Sequence, residues 1–440
     1  MRESFGTGWL ERIRGGLKSS TFANTSWSAL GAIVNGFVGA LSSAILARYL
    51  GIQDFGTLVL MISLLSLMTE LGDVGIGSAV VRFGTPALER NDSQGFRLVG
   101  SVVFRMKLLL GCVVLTLALA FLNPIVSAVF GHVDDRVTSY FYLSVAAAAI
   151  AILGSMAPPI LQTYRQFRHL ALVIGSRYVS KLIILAVCII LVVEWSVELG
   201  LWLEIVSAIC FLLVGYWLSP VKDLSLRLHS KEVQREVLHF NKWISLHHII
   251  LIVGGRADVF LLGGLVGSTA LGLYGAALKI SGVIQVATSS YHSALLPEFS
   301  AASSVAMIDK QRRSSAFVGV VLIAVIGAVA LVATPMAVFV FGPEFEASGM
   351  LLQIMAVGLA FNVLSHPFMA GLFAMNESIA YPIVSSVSMA VFTICNILLV
   401  PRFGAVGAAV AFSASGCATF LVAFGYSKWL KWKHPVTPKT

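Results

Sequence analysis

The sequence predicts an all-α polytopic membrane protein, with twelve transmembrane helices in two six-helix bundles related by a pseudo-two-fold axis along the membrane normal. Three observations carry this. Hydrophobic residues make up 58% of the 440 positions and charged residues only 12%, and mean hydropathy is +0.89. Apolar stretches of ~20 residues or more, enough to cross ~30 Å of hydrocarbon, recur along the chain. A short glycine pattern also repeats about half a chain apart. Together these exclude a soluble multidomain enzyme, a disordered chain, a disulfide scaffold and a single-span anchor.

The predicted spans lie near 22–49, 54–81, 100–122, 139–164, 170–193, 199–218, 241–263, 268–297, 315–341, 348–375, 379–400 and 403–428. They divide the chain into an amphipathic segment 1–20, a first bundle 21–218, a linker 219–240, a second bundle 241–428 and a tail 429–440. In the first segment Phe5, Trp9, Ile13 and Leu17 recur every fourth residue among Arg12, Arg14 and Lys18. That spacing fits a helix lying on the inner leaflet, or a tail without a role. No small-residue cleavage site follows a short apolar core, so these residues do not read as a cleavable signal.

Orientation follows from the basic residues. With both termini inside, twenty-three of the 30 Lys and Arg, Lys107 among them, fall on or near the inner face. Three, Arg48, Arg136 and Arg402, fall in outer loops, and Arg177, Lys181, Arg256 and Lys279 fall within spans. The positive-inside bias sets both termini in the cytoplasm, and the net charge of +9 fits anionic lipid rather than nucleic acid.

The repeat is Gly51-Ile52-Gln53-Asp54-Phe55-Gly56 at the start of the second span and Gly267-Ser268-Thr269-Ala270-Leu271-Gly272 at the start of the eighth. The two runs stand 216 positions apart and share the form G-x-x-x-(apolar)-G. Six spans per half is an even number, so both halves enter the membrane in the same sense, and the cleft between them is the expected transport route.

A charge in hydrocarbon costs at least ~2.5–3.5 kcal/mol on insertion scales, so each one needs a partner, water or a use. Lys181 lies about 16 Å from the inner end of its span, Lys279 about 17 Å from the outer end of its own, and Arg256 about 22 Å into the seventh. Arg177 shares a helix face with Lys181 at i,i+4. These four either ring a common cavity or pair with acids across helices. Glu70 and Asp73, on one face of the second span at i,i+3, either bind H⁺ or Na⁺ or neutralise the cations. Asp258 cannot face the same way as Arg256 unless Gly254-Gly255 loosens the turn. Glu204, about a turn and a half from its span's outer end, reads as snorkelling.

Pro158-Pro159, Pro335 and Pro367 interrupt spans, as bending points or through packing alone. His247-His248, His292 and His366 lack metal-ligand spacing and read as interfacial or core residues. The five cysteines read as small buried hydrophobes. There is no G-x-x-x-x-G-K-[ST] phosphate loop, H-E-x-x-H or nucleophile elbow, and Gly72 to Gly77 falls mid-span, where helix packing explains it. The chain therefore reads as a transporter without cofactor or catalytic machinery of its own.

The run Ala47-Arg48-Tyr49-Leu50-Gly51-Ile52-Gln53-Asp54-Phe55-Gly56, with Glu70-Leu71-Gly72-Asp73-Val74-Gly75-Ile76-Gly77-Ser78-Ala79, resembles the amino-terminal signature of bacterial polysaccharide transporters of the O-antigen and exopolysaccharide flippase type. These belong to the multidrug/oligosaccharidyl-lipid/polysaccharide flippase superfamily. Arg256-Ala257-Asp258-Val259-Phe260-Leu261-Leu262-Gly263 with Leu271-Gly272-Leu273-Tyr274-Gly275-Ala276-Ala277 resembles the start of that family's second half, and Leu296-Pro297-Glu298-Phe299 its next landmark.

The resemblance implies an inner-membrane flippase that moves a polyprenyl-diphosphate-linked glycan from the cytoplasmic to the periplasmic leaflet by alternating access. It implies membrane lipids, glycan polymerase and glycosyltransferases as partners. Arg177, Lys181, Arg256 and Lys279 become candidates for the diphosphate and acidic sugars, and Glu70, Asp73 and Asp258 for coupling to H⁺ or Na⁺. Two rivals stay open. A multidrug or cation antiporter would favour buried carboxylates over cations. A membrane-embedded glycan polymerase or ligase would carry a long polar outer loop, and the outer loops here are short.

Overall fold

The computed structural model describes residues 20–122, 124, 135–225, 228, 230–300, 305–375, 377 and 379–433. Residues 1–19 of the amphipathic segment read over 1–20, and residues 434–440 of the predicted tail, lie outside the described residues. Every regular element among the described residues is helical. Ten helical stretches are long and apolar enough to cross a membrane. Two of them fold back on themselves. The helix α1 (Ser20–Leu71) turns at Gly51, with φ 72° and ψ 176°, and Leu46 packs on Leu58 and Met61 across that turn. The last helix, α14 (Ala380–Lys433), turns at Gly404, with φ 56°, and Ser388 Oγ donates to the Ser415 carbonyl at 2.9 Å across it. Dividing both gives twelve passes in two six-helix bundles, so the chain ends on the side where it starts.

Between them run α2 (Gly77–Glu89), α3 (Ser93–Ala120), α4 (Asp135–Gly154), α5 (Ala157–Thr163), α6 (Phe167–Ile190), α7 (Val197–Leu218), α8 (Lys231–Gly254), α9 (Ala257–Leu265), α10 (Ser268–Ser300), α11 (Val305–Leu331), α12 (Ala333–Phe341) and α13 (Glu346–Ala374). Polar caps set several starts. Asp92 accepts from the Gly95 N–H at 2.8 Å, and Ser196 from Leu199 at 3.1 Å. Ser230 accepts from Val233 at 3.3 Å, so α8 begins within the polar stretch read as the linker 219–240. Cys188 is buried, but Cys112 points outward, so the cysteines are not uniformly core residues.

The bundles meet where the two glycine repeats meet, and the meeting is reciprocal. A Cβ on Gly56 would run into the Ser268 carbonyl oxygen, and a Cβ on Gly272 into the Ile52 carbonyl oxygen. Positions 52 and 268, like 56 and 272, are equivalent under the 216-residue offset, so the contact maps onto itself under a two-fold operation. Glycine is required because a transmembrane contact gains its energy from close van der Waals packing rather than from expulsion of water. Around it Ala47, Phe55 and Val59 pack with Leu262, Tyr274 and Phe341 in one core that belongs to both halves. Arg48 adds a clasp. Its Nε donates to the Val340 carbonyl at 2.9 Å and its Nη2 to that of Phe339, while Glu344 Oε2 accepts the Ile52 N–H at 3.2 Å.

Four passes are broken rather than continuous. The second breaks at 72–76, with Val74 and Gly75 at φ 32° and 77°. The fourth breaks at Ser155 and Met156, ahead of Pro158-Pro159. The seventh breaks at Gly255 and Arg256, and the ninth at Val332, two residues before Thr334-Pro335. Pro367 instead stays within the helix α13. Each break re-aims side chains that hydropathy alone places on a straight helix.

Candidate functional site

Between the halves lies a cavity of ≈ 550 Å³ lined by α1, α6, α7, α9, α10 and the Gly255 break. Arg177, Lys181, Arg256 and Lys279 all line it, together with Glu204 and Asp258. Ser43, Ser63, Ser66, Asn35 and Tyr178 supply further polar atoms.

The four cations are held differently. On α6, Arg177 and Lys181 stand one turn apart and converge on one carboxylate of α7. Lys181 Nζ bonds Glu204 Oε1, and Arg177 Nη2 lies 3.6 Å from Glu204 Oε2. Glu204 is buried, so its reading as a snorkelling residue is corrected: α7 starts at Val197, and the side chain points into the protein rather than along it. Arg256 caps α9 just past the Gly254-Gly255 break, and its Nη2 lies 2.8 Å from Glu70 Oε1. Gly254 lies against the Met389 side chain, whose Sδ would be 2.8 Å from a Cβ there.

Lys279 stands apart. It projects from α10 into the field of Lys181, Glu204 and Arg256, and among the described residues it makes no ion pair or hydrogen bond.

The acids also separate. Because α1 ends at Leu71, Glu70 and Asp73 do not share a helix face as the sequence predicts. Glu70 turns to Arg256, while Asp73 Oδ1 lies 3.1 Å from Lys107 Nζ and accepts the Gly77 N–H at 3.1 Å. Asp258 does face the cavity beside Arg256, because the seventh pass loosens at Gly254-Gly255. Its Oδ1 accepts the Val259 N–H at 2.8 Å and its Oδ2 the Tyr274 hydroxyl at 2.6 Å.

Sequence reasoning misplaced Lys107. Assigned to the inner face, it is 2% exposed and lies far along α3, which the Asp92 cap starts at Ser93. The cap was the available signal, since it sets the first turn seven residues before the predicted span. The imidazoles of His292 and His366 lie 4.9 Å apart between centroids inside the second bundle, tilted by 43° to one another. No cluster of three or more metal-ligating residues occurs among the described residues.

The comparisons agree with this architecture. A sequence family described as "Polysaccharide biosynthesis protein" matches residues 45–349. The chain is 27% identical over 135 residues to the inner membrane protein YghQ of Escherichia coli (strain K12), a match spanning 31% of this chain and 37% of that relative. Its fold is similar to that of the lipid II flippase MurJ in an inward closed conformation, with TM-score 0.73, 13% identity and coverage of 91% of this chain and 87% of that one. It is also similar to a multidrug resistance MATE family transporter of the MOP superfamily in an inward-facing conformation, with TM-score 0.69, 16% identity and coverage of 92% and 100%. These structural neighbours are transporters and flippases, not enzymes.

Proposed function

The chain belongs to the polysaccharide biosynthesis protein family, and from that premise we propose that it is a flippase of the MOP superfamily that moves a polyprenyl-diphosphate-linked oligosaccharide from the cytoplasmic to the periplasmic leaflet of a bacterial inner membrane. The observation that carries this reading is the inter-bundle cavity, where four cations meet two lining acids and Lys279 has no acid of its own. The antiporter alternative expects the opposite balance.

In this reading Lys279 takes the first phosphate. Arg177 and Lys181 are already oriented by Glu204, and a diphosphate entering beside them competes for guanidinium and ammonium donors that a carboxylate now holds. Arg256 joins when Glu70 releases it. Protonation of Glu70 would therefore free a phosphate ligand, which links a proton to substrate binding without a nucleotide-binding motif. Glu70 and Asp258 are the acids we place in coupling, the first through Arg256 and the second at the cavity wall. Asp73 lies away from the cavity, paired with Lys107.

With both termini cytoplasmic, the Gly51 and Gly267 turns face the periplasm, so the glycine contact is the closed outer gate and opening it delivers the glycan. A reporter fused after Lys439 checks the orientation: a periplasmic signal there overturns it. The transport reading is tested in proteoliposomes carrying a fluorescent polyprenyl-diphosphate oligosaccharide. Wild-type protein is expected to expose the glycan to the far leaflet, and Lys279→Ala to slow this at least tenfold at unchanged abundance. Unchanged flipping in that variant would remove the phosphate role. Glu70→Gln is expected to retain glycan binding and lose the response to a proton gradient, since an amide cannot exchange a proton.

A further inference from the structure

The first bundle contains a buried cation that the cavity does not use. Lys107 projects from the middle of α3, its side chain 2% exposed. An ammonium group buried in this way costs several kcal/mol unless oxygen atoms replace its water. Two do so, and both come from places where a helix is broken.

The first is Asp73 Oδ1, at 3.1 Å, in the 72–76 turn that separates α1 from α2. The second is the Ser155 carbonyl, at 3.0 Å, in the break between α4 and α5. In a continuous helix the carbonyl of residue 155 would accept the N–H of residue 159. Residue 159 is proline and has none, so the carbonyl is left free and Lys107 supplies the missing donor. The same assembly reaches the other half. Asp73 Oδ1 also caps α2 through the Gly77 N–H, and the Val74 carbonyl accepts the Ser245 hydroxyl of α8 at 2.9 Å.

A carboxylate together with a carbonyl freed at a helix break is the oxygen donor set with which discontinuous membrane helices hold an alkali cation. We propose that Lys107 is a tethered replacement for such an ion: the first bundle contains a monovalent-cation site, built from Asp73 and the Ser155 carbonyl, which the chain fills with its own ammonium group. The broken second and fourth passes are thereby joined without an ion from solution, and Asp73 is closed to Na⁺ exchange. This goes beyond the flippase reading and does not depend on which glycan is carried.

The test reads stability, so a failed transport assay leaves it untouched. Purified protein in nanodiscs is unfolded thermally in choline chloride, with Na⁺ or n-butylammonium exchanged in at constant ionic strength. Wild-type protein is expected to show the same midpoint in all three. Lys107→Gly removes the atoms that butylammonium replaces, and its midpoint is expected to climb with Na⁺ or butylammonium concentration. At a hundredfold excess over Kd the folding equilibrium shifts about 100-fold. Lys107→Met combined with Asp73→Asn, which removes both charges together, is expected to fold and to ignore the cations. The proposal is overturned if Lys107→Gly responds to neither cation, or folds in no salt while the double variant folds, because an ordinary buried ion pair behaves that way. It is equally overturned if Na⁺ stabilises the wild-type protein and Asp73→Asn abolishes the effect.

Discussion

The two halves of the molecule share a backbone plan and divide its chemistry unequally. Under the 216-residue offset the glycine contact is duplicated atom for atom in kind, Gly56 on Ser268 and Gly272 on Ile52. The charges are not. Arg256, Asp258 and Lys279 of the second half correspond to Ala40, Ser42 and Ser63 of the first, whose own cavity charges, Arg177, Lys181 and Glu204, stand instead on α6 and α7. Each half therefore charges a different pair of helices, and the cavity becomes cationic on two non-equivalent walls. Packing at the axis tolerates no departure from symmetry, because backbone meets backbone there. The cavity walls tolerate it freely, because a side chain facing open space has no equivalent neighbour to clash with.

This contrast can be broken in three places. The largest effect is expected at Glu204, which compensates two buried cations at once: Glu204→Gln should lower stability by about 3–5 kcal/mol, read as lost abundance and a lower unfolding midpoint. If the midpoint holds, Arg177 and Lys181 are solvated and the pair is not structural. Next come Gly56→Ala and Gly272→Ala, each expected to cost about 1–3 kcal/mol because a carbonyl oxygen cannot move aside as a flexible side chain can. Their costs should match within ~0.5 kcal/mol, and a clear inequality would show that the contact is symmetric in geometry alone. The smallest structural effect is expected for a relocated charge. Lys279→Ser with Ser63→Lys moves the ammonium to the equivalent wall of the same cavity, since both positions line it. Abundance should stay near wild type and glycan flipping should recover in part over the Lys279→Ser single variant. No recovery would mean that the position of the charge, and not only its presence, selects the substrate.

Much of this was legible in the sequence. Hydropathy located the passes, the glycine repeat located the axis, and the cost of charge in hydrocarbon singled out the four cations that line the cavity. What stayed hidden depended on helix interruption. Glu70 and Asp73 look paired at i,i+3 because hydropathy cannot register a turn at Gly72, and their separate partners, Arg256 and Lys107, lie 186 and 34 positions away in the chain. Lys107 reads as an interfacial residue because the apolar run starts at 100, whereas the helix starts at Ser93. Distance from a span end makes Glu204 look like a snorkelling residue, when what decides its role is the direction of its side chain toward α6. For Lys107 the missing quantity is depth along the helix, and for Glu204 it is azimuth around it.

The reciprocal contact of Gly56 and Gly272 has a further consequence. A surface that maps onto itself under a two-fold axis is isologous, the kind that builds dimers from identical subunits. Six passes return a chain to the side from which it entered, so two separate copies of one such unit would insert in parallel and could present the same glycine turn to one another. The interface at the centre of this single chain is thus the one a homodimer of half its length would use. Within one polypeptide the two halves need not match, and Arg256 and Lys279, standing where the first half has Ala40 and Ser63, are what that freedom permits.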